Sequence, residues 1–209
     1  PDSFIGGGIQ LSSSVNSGSI MNAYVVRANA LYSVVTYGVR YLPRAVSGRR
    51  QLSVSSGFTC AVTGLTLVDS ILYVLVQYYY PVSNTNSTCI LKTSTINGAI
   101  IAQSCITSDI SVYCADIVAS GTFLSLACTV QYTHQPTRAL ALSVNKQLSF
   151  SVLPPGFTKI GHDVFYSVNT LFKSSVLPVT TVSTNIATRS SVYTTTSTAP
   201  NGGRISPSY

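Results

Sequence analysis

One pattern recurs four times in this chain, and it constrains the fold more than any other feature. An alternating apolar stretch meets a short polar or small turn, then a stretch that opens with Leu, usually beside an aromatic residue. The copies read Val26-Arg27-Ala28-Asn29-Ala30-Leu31-Tyr32, Val68-Asp69-Ser70-Ile71-Leu72-Tyr73, Val118-Ala119-Ser120-Gly121-Thr122-Phe123-Leu124 and Val168-Asn169-Thr170-Leu171-Phe172. The first three are each followed by a second turn between alternating stretches, at 44–54, at 89–101 around Asn97-Gly98, and at 140–150 around Asn145-Lys146. Small turns and Asn-Gly between alternating apolar residues signal β-hairpins. A fourth second hairpin, over 179–193, has the alternation without a clear turn.

Composition narrows the choice in the same direction. Charged residues are 8% of the chain, against about 25% in ordinary globular domains. There is no Glu and no Trp, and β-branched residues dominate, so a helical bundle is excluded. A hydrophobic content of 45% excludes a disordered chain. The longest apolar run, residues 71–76, falls far short of the roughly 18 residues of a membrane-spanning helix. Pro1-Asp2-Ser3-Phe4 has neither the basic nor the apolar part of a signal peptide, so a mature or trimmed chain is expected.

The expected fold is therefore all-β and antiparallel, with repeated double hairpins. Two hairpins per repeat of about 40–50 residues resemble the blades of β-propeller proteins of the quinoprotein or kelch kind. The likeness rests on Asp69-Ser70-Ile71-Leu72-Tyr73-Val74 and the turn over 92–98, and it spans roughly residues 20–190. It implies a propeller-like domain of about four repeats. A β-sandwich or jelly roll is the alternative, since hairpins at this spacing occur there too. In style the composition is similar to secreted surface proteins of thermophilic archaea and of their viruses. Three regions are expected: a Gly/Ser-rich tail over 1–19, the all-β domain over 20–189, and a Ser/Thr-rich tail over 190–209. Tails of this composition cannot bury enough of their own surface to offset the entropy of ordering. Any order they take is expected to come from a neighbouring subunit.

Five cysteines without a Cys-x-x-Cys spacing point to an oxidising compartment rather than to zinc or thioredoxin chemistry. Across Asn97-Gly98, facing residue numbers add to about 195, which sets Cys89 nearly opposite Cys105. Across Ser120-Gly121 they add to about 241, which brings Cys114 within one position of Cys128. Facing antiparallel residues have Cα atoms about 4.5–5.5 Å apart, inside the disulfide range. Cys60 is left as a buried small hydrophobe or an intersubunit link. The alternative is five reduced, buried thiols, as in a shell assembled in cytosol.

Asn86-Ser87-Thr88 is a glycosylation sequon expected between two strands. Tyr78, Tyr79 and Tyr80 close one strand, and Tyr132 and His134 stand at the matching place in the next repeat. Tyrosines at strand ends offer apolar area with a polar tip, suited to a ligand or protein interface. The net charge of +7 comes more from missing acids than from abundant bases, and Arg40, Arg44, Arg49 and Arg50 are its densest patch. With only five carboxylates the chain has little acid-labile pairing to lose, so tolerance of low pH is expected.

Catalytic constellations are thin. His162 and Asp163 are adjacent, so on a strand they point to opposite faces. There is no Gly-x-Ser-x-Gly elbow, no paired carboxylate, no calcium-loop spacing and no phosphate loop after Gly6-Gly7-Gly8. Neither an enzyme nor a cofactor or metal site is expected. The favoured reading is a structural subunit of an extracellular, cell-surface or virion assembly that polymerises by strand or tail exchange. The alternatives are a β module that binds a glycan or cell-surface receptor, and a capsid protein touching nucleic acid through the 40–50 patch.

Overall fold

The computed structural model describes residues 2–11, 20–29, 34–44, 59–80, 85–108, 110–132, 136–161 and 163–169. The chain divides into two units, 1–171 and 172–209, and every described residue belongs to the first. Among the described residues the regular structure is all strand. In chain order the strands are β1 (Ser3–Leu11), β2 (Ile20–Ala28), β3 (Val35–Pro43), β4 (Thr59–Val68), β5 (Ile71–Tyr80), β6 (Thr85–Ser94), β7 (Ile100–Ser108), β8 (Ser111–Ser120), β9 (Phe123–Gln131), β10 (Arg138–Asn145), β11 (Phe157–Ile160) and β12 (Phe165–Asn169).

The hairpin signals act as expected where they are described. Asp69 and Ser70 both take positive φ, 48° and 62°, the geometry of the two-residue turn that matches strand twist. Gly98 turns β6 into β7 with φ 69°, a conformation that costs glycine nothing. The β8–β9 turn sits at Gly121-Thr122, one residue later than the sequence suggested, because β8 runs through Ser120. The turns expected near 30 and 170 and within 44–54 lie wholly or partly outside the described residues, as does the stretch over 179–193.

Nine strands form one hydrogen-bonded sheet in the order β11-β7-β6-β5-β4-β2-β3-β12, with β1 added on β2; β10-β9-β8 form a second sheet. All pairings are antiparallel except one parallel bridge, Met21 to Thr59, which alone joins β2 to β4. The larger sheet doubles back at that joint. Val25, Val39, Tyr41 and Phe165 from one half pack on Leu72, Val74, Val76 and Leu91 from the other. On the opposite face of β5 and β6, Tyr73, Leu75 and Ile90 pack on Cys114, Ile117, Leu126 and Leu142. The result is three layers with β4 to β7 in the middle. Side chains alternate between faces along a strand, so β5, with both faces covered, has to be apolar at successive positions. Its sequence Ile71-Leu72-Tyr73-Val74-Leu75-Val76 meets that demand.

Side-chain bonds tie the layers together at their turns. Tyr41 Oη donates to Gly98 O at 3.2 Å, and Arg27 Nη1 donates to Thr95 O at 2.6 Å. On the other side Tyr73 Oη donates to Lys146 O at 3.1 Å.

The hairpins form antiparallel sheets, and no described sheet closes on itself. One expectation needs correction. The first tail is not a free arm. Its residues Ser3–Leu11 pair along their whole length with β2 of the same chain. The glycines there serve close approach: a Cβ on Gly6 would lie 2.5 Å from Val62 Cγ1.

Candidate functional site

Both expected cystine pairs are present. Cys89 bonds Cys105 and Cys114 bonds Cys128, with Cα separations of 4.1 and 3.9 Å. In each hairpin the two cysteines face one another in register. A bulge between Cys114 and Asp116 absorbs one residue of β8 and brings Cys114 opposite Cys128. The first disulfide lies in the core between the doubled halves of the large sheet, the second in the core under β8 to β10. Cys60 is a free, buried thiol whose Sγ accepts from Ala23 N–H at 3.1 Å. Burial pushes it up to about 12, against the opposing pull of that hydrogen bond. A thiol so protonated and enclosed behaves as a small hydrophobe, the first of its two expected roles.

The tyrosines separate. Tyr78 is buried and meets Phe165 edge to face at 5.4 Å between centroids. Tyr132 packs against the other core. The Tyr80 side chain and His134 lie outside the described residues. Tyr79 is half-buried and lines an open groove of about 290 Å³ with Gln77, Asn86, Val112 and Tyr113. The sequon is not in a connection: Asn86 sits on β6, paired with Tyr79 and Ser108. Thr88 is buried, its hydroxyl hydrogen-bonded to the Gln77 side-chain amide at 2.9 Å.

The basic patch is described in part. Arg40 lies on β3, and Arg44 follows it with Nε donating to Phe165 O at 3.4 Å. Arg49, Arg50 and His162 lie outside the described residues, while Asp163 is exposed. Among the described residues no group of three His, Cys, Asp or Glu gathers as a metal site.

The small sheet leaves its outer face uncovered. β9 alternates without a break, its odd-numbered side chains outward. Across the register the outer face reads Tyr113-Thr129-Ala139, Asp116-Ala127-Ala141, Val118-Ser125-Ser143 and Ser120-Phe123-Asn145. Tyr113, Val118 and Phe123 are 53%, 55% and 44% exposed on it. The β10 edge of the same sheet is bridged at its end, where Val144 pairs with Phe150. Asn145 N–H donates away from β9 to Ser149 O at 3.0 Å, whereas Lys146 N–H donates to Thr122 O at 3.2 Å on the β9 side. Successive residues of an antiparallel strand direct their main-chain groups to alternate edges. Ala139 and Ala141 therefore direct theirs outward, where no described residue meets them. Sequence reasoning missed this surface, although Tyr113, Val118 and Phe123 already stood at solvent positions of an alternating hairpin. No family model, curated protein or solved structure matches this chain.

Proposed function

We propose that this chain is a non-enzymatic structural subunit of an extracellular surface or viral assembly, in which copies join by strand or tail exchange. The observation that carries the reading is the small sheet: its outer face is nearly uncharged, and its β10 edge, bridged only at Val144 by Phe150, leaves Ala139 and Ala141 without a described strand beside them. Soluble chains blunt such edges with Lys, Pro or a bulge. Between Ala139 and Ser143 none of these occurs, and only Arg138 guards the start. A flat face of Ala, Ser and Thr lets a second sheet approach closely, and the three large apolar residues supply area to bury. Two disulfides are compatible with an oxidising, extracellular location. The matching reading of the fold is layered sheets with open edges rather than a ring of closed blades.

The test is to image and sediment the full chain beside Val118→Lys and Phe123→Lys variants. Ordered polymers from the parent, lost in both variants but kept in Ile96→Lys on an exposed turn, support the reading. A parent that stays monomeric at every concentration overturns it. A second reading, a glycan- or receptor-binding module, draws on the groove of Tyr79, Asn86 and Tyr113. Sugar-dependent shifts of the Tyr79 and Tyr113 ring signals in a protein that does not polymerise would favour it.

A further inference from the structure

We infer that Asn97 is a modification site, which deamidates to isoaspartate only when the joint between the doubled halves of the large sheet opens. Asn97-Gly98 is one of two Asn-Gly dipeptides in the chain, the other being Asn201-Gly202. Asparagine before glycine is the pairing most prone to this reaction, because no side chain screens the glycine nitrogen. That nitrogen gives its proton to solvent base and attacks Asn97 Cγ. The new N–Cγ bond forms a cyclic imide, and the Cγ–Nδ2 bond breaks as Nδ2 takes up a proton and leaves as ammonia. Water then opens the imide at either carbonyl and leaves a carboxylate at position 97. Asn97 is exposed, so neither water nor base is kept from it.

The folded turn withholds the attacking nitrogen. Gly98 N–H donates to Ser94 O at 2.8 Å, and Asn97 Oδ1 accepts from Ala99 N–H at 3.1 Å. The first bond holds the proton that must leave. The second holds the amide carbon in one orientation. Gly98 itself is buried, and its carbonyl accepts from Tyr41 Oη at 3.2 Å. It seats so closely that a Cβ there would lie 2.7 Å from Val39 Cγ2 and 2.9 Å from Tyr37 Cε2. Arg27 Nη1 donates to Thr95 O at 2.6 Å, and Thr95 Oγ1 donates to Ser70 O at 2.9 Å. Arg27, Tyr37, Val39 and Tyr41 belong to β2 and β3, across the joint from β6 and β7. The turn cannot swing the Gly98 nitrogen toward Asn97 Cγ until those contacts part.

The product closes the way back. In isoaspartate the main chain runs through the former side-chain carbon, so one methylene is added between position 97 and Gly98. Packed against Val39 and Tyr37, Gly98 has no slack to absorb it. The lengthened turn cannot return Gly98 O to Tyr41, and a transient opening becomes permanent. Local openings range in cost from nearly nothing to that of full unfolding, and the bonds across the joint set where Asn97 stands on that scale. The fraction of isoaspartate at position 97 therefore records how long the two halves have been apart.

The test follows the full chain, disulfides intact, by peptide mapping that separates aspartate from isoaspartate at position 97. In denaturant Asn97 should convert at the rate of Asn201, which serves as the clock of an open chain. In native buffer at the same pH and temperature, Asn97 should convert at least about tenfold more slowly. Tyr41→Phe removes one tie across the joint and should speed the native reaction about fivefold. If that variant does not fold, rising urea on the parent takes its place: loss of Asn97 and hydrogen exchange of the Gly98 amide should accelerate together. Equal rates of Asn97 loss in native buffer and in denaturant overturn the protection. An unchanged rate in folded Tyr41→Phe, or Gly98 exchange that rises while Asn97 loss stays flat, overturns the joint as the gate. Asn97 that survives denaturant while Asn201 converts overturns the site itself.

Discussion

β5 and β9 are built on opposite rules. β5 is apolar at every position from Ile71 to Val76 and serves two cores, with Leu72, Val74 and Val76 facing one and Tyr73 and Leu75 the other. β9 is apolar at alternate positions and serves one core through Leu124, Leu126, Cys128 and Val130. A continuous run therefore marks a strand covered on both faces, and strict alternation marks a strand with one face left over. In this chain the face left over belongs to the layer proposed to assemble.

The contrast is sharpest in single substitutions. Leu75→Ala removes a fully buried side chain from the middle layer, and should cost about 2–5 kcal/mol in chemical denaturation. A loss under about 1 kcal/mol would mean that β5 is not enclosed between layers. Next come the cystines, whose cysteines are 16 and 14 residues apart in sequence. Replacing either pair by Ser should cost about 3 kcal/mol, since loop entropy depends weakly on so small a difference. A much larger loss for Cys89–Cys105 than for Cys114–Cys128 would show packing rather than chain entropy at work.

Smaller effects probe the joint between the doubled halves. Tyr41→Phe removes the donor to Gly98 O and should cost about 1 kcal/mol. Alkali should loosen the same core. Burial pushes Tyr37 up to about 12 from 10.0, with Arg27 pulling it back, and pushes Cys60 up to about 12 from 9.0. Both groups are neutral acids in the folded state and ionise more readily unfolded. Their stabilisation is complete below pH 9 and is lost as pH rises from there toward 12. Melting temperatures should be flat from pH 7 to 8.5 and fall above it; a flat profile through pH 11 would contradict that enclosure. The smallest change is expected on β9, where Ser125→Ala on the outer face should alter the monomer by less than about 0.5 kcal/mol.

Much of the architecture was legible because it is local. Hairpin turns are encoded by two or three residues, so Asp69-Ser70 and Asn97-Gly98 announced themselves, and both cystines followed from counting back from a turn. The bulge after Cys114 was not legible, yet it offset the one-residue error in the β8–β9 turn. Layering was hidden for a different reason. Which hairpins continue edge to edge depends on long-range pairing, and the joint between the doubled halves rests on one bridge, Met21 to Thr59. The Gly-rich start misled because its glycines read as linker, whereas β1 needs them where Val62 and Tyr24 crowd it. Of the candidate surface, Tyr79 and Asn86 were visible in sequence, but Tyr78 proved to be core. The bonds of the Gln103 amide to the main chain of Val164 and Phe165 emerge only from the structure.

Residue-resolved hydrogen exchange tests the assembly reading most directly. Ala139 and Ala141 direct their N–H groups from the β10 edge, so polymers should protect both amides at least about tenfold over the dissociated Phe123→Lys protein. Equal exchange of these two amides in intact polymers and in dissociated chains would contradict assembly through the small sheet.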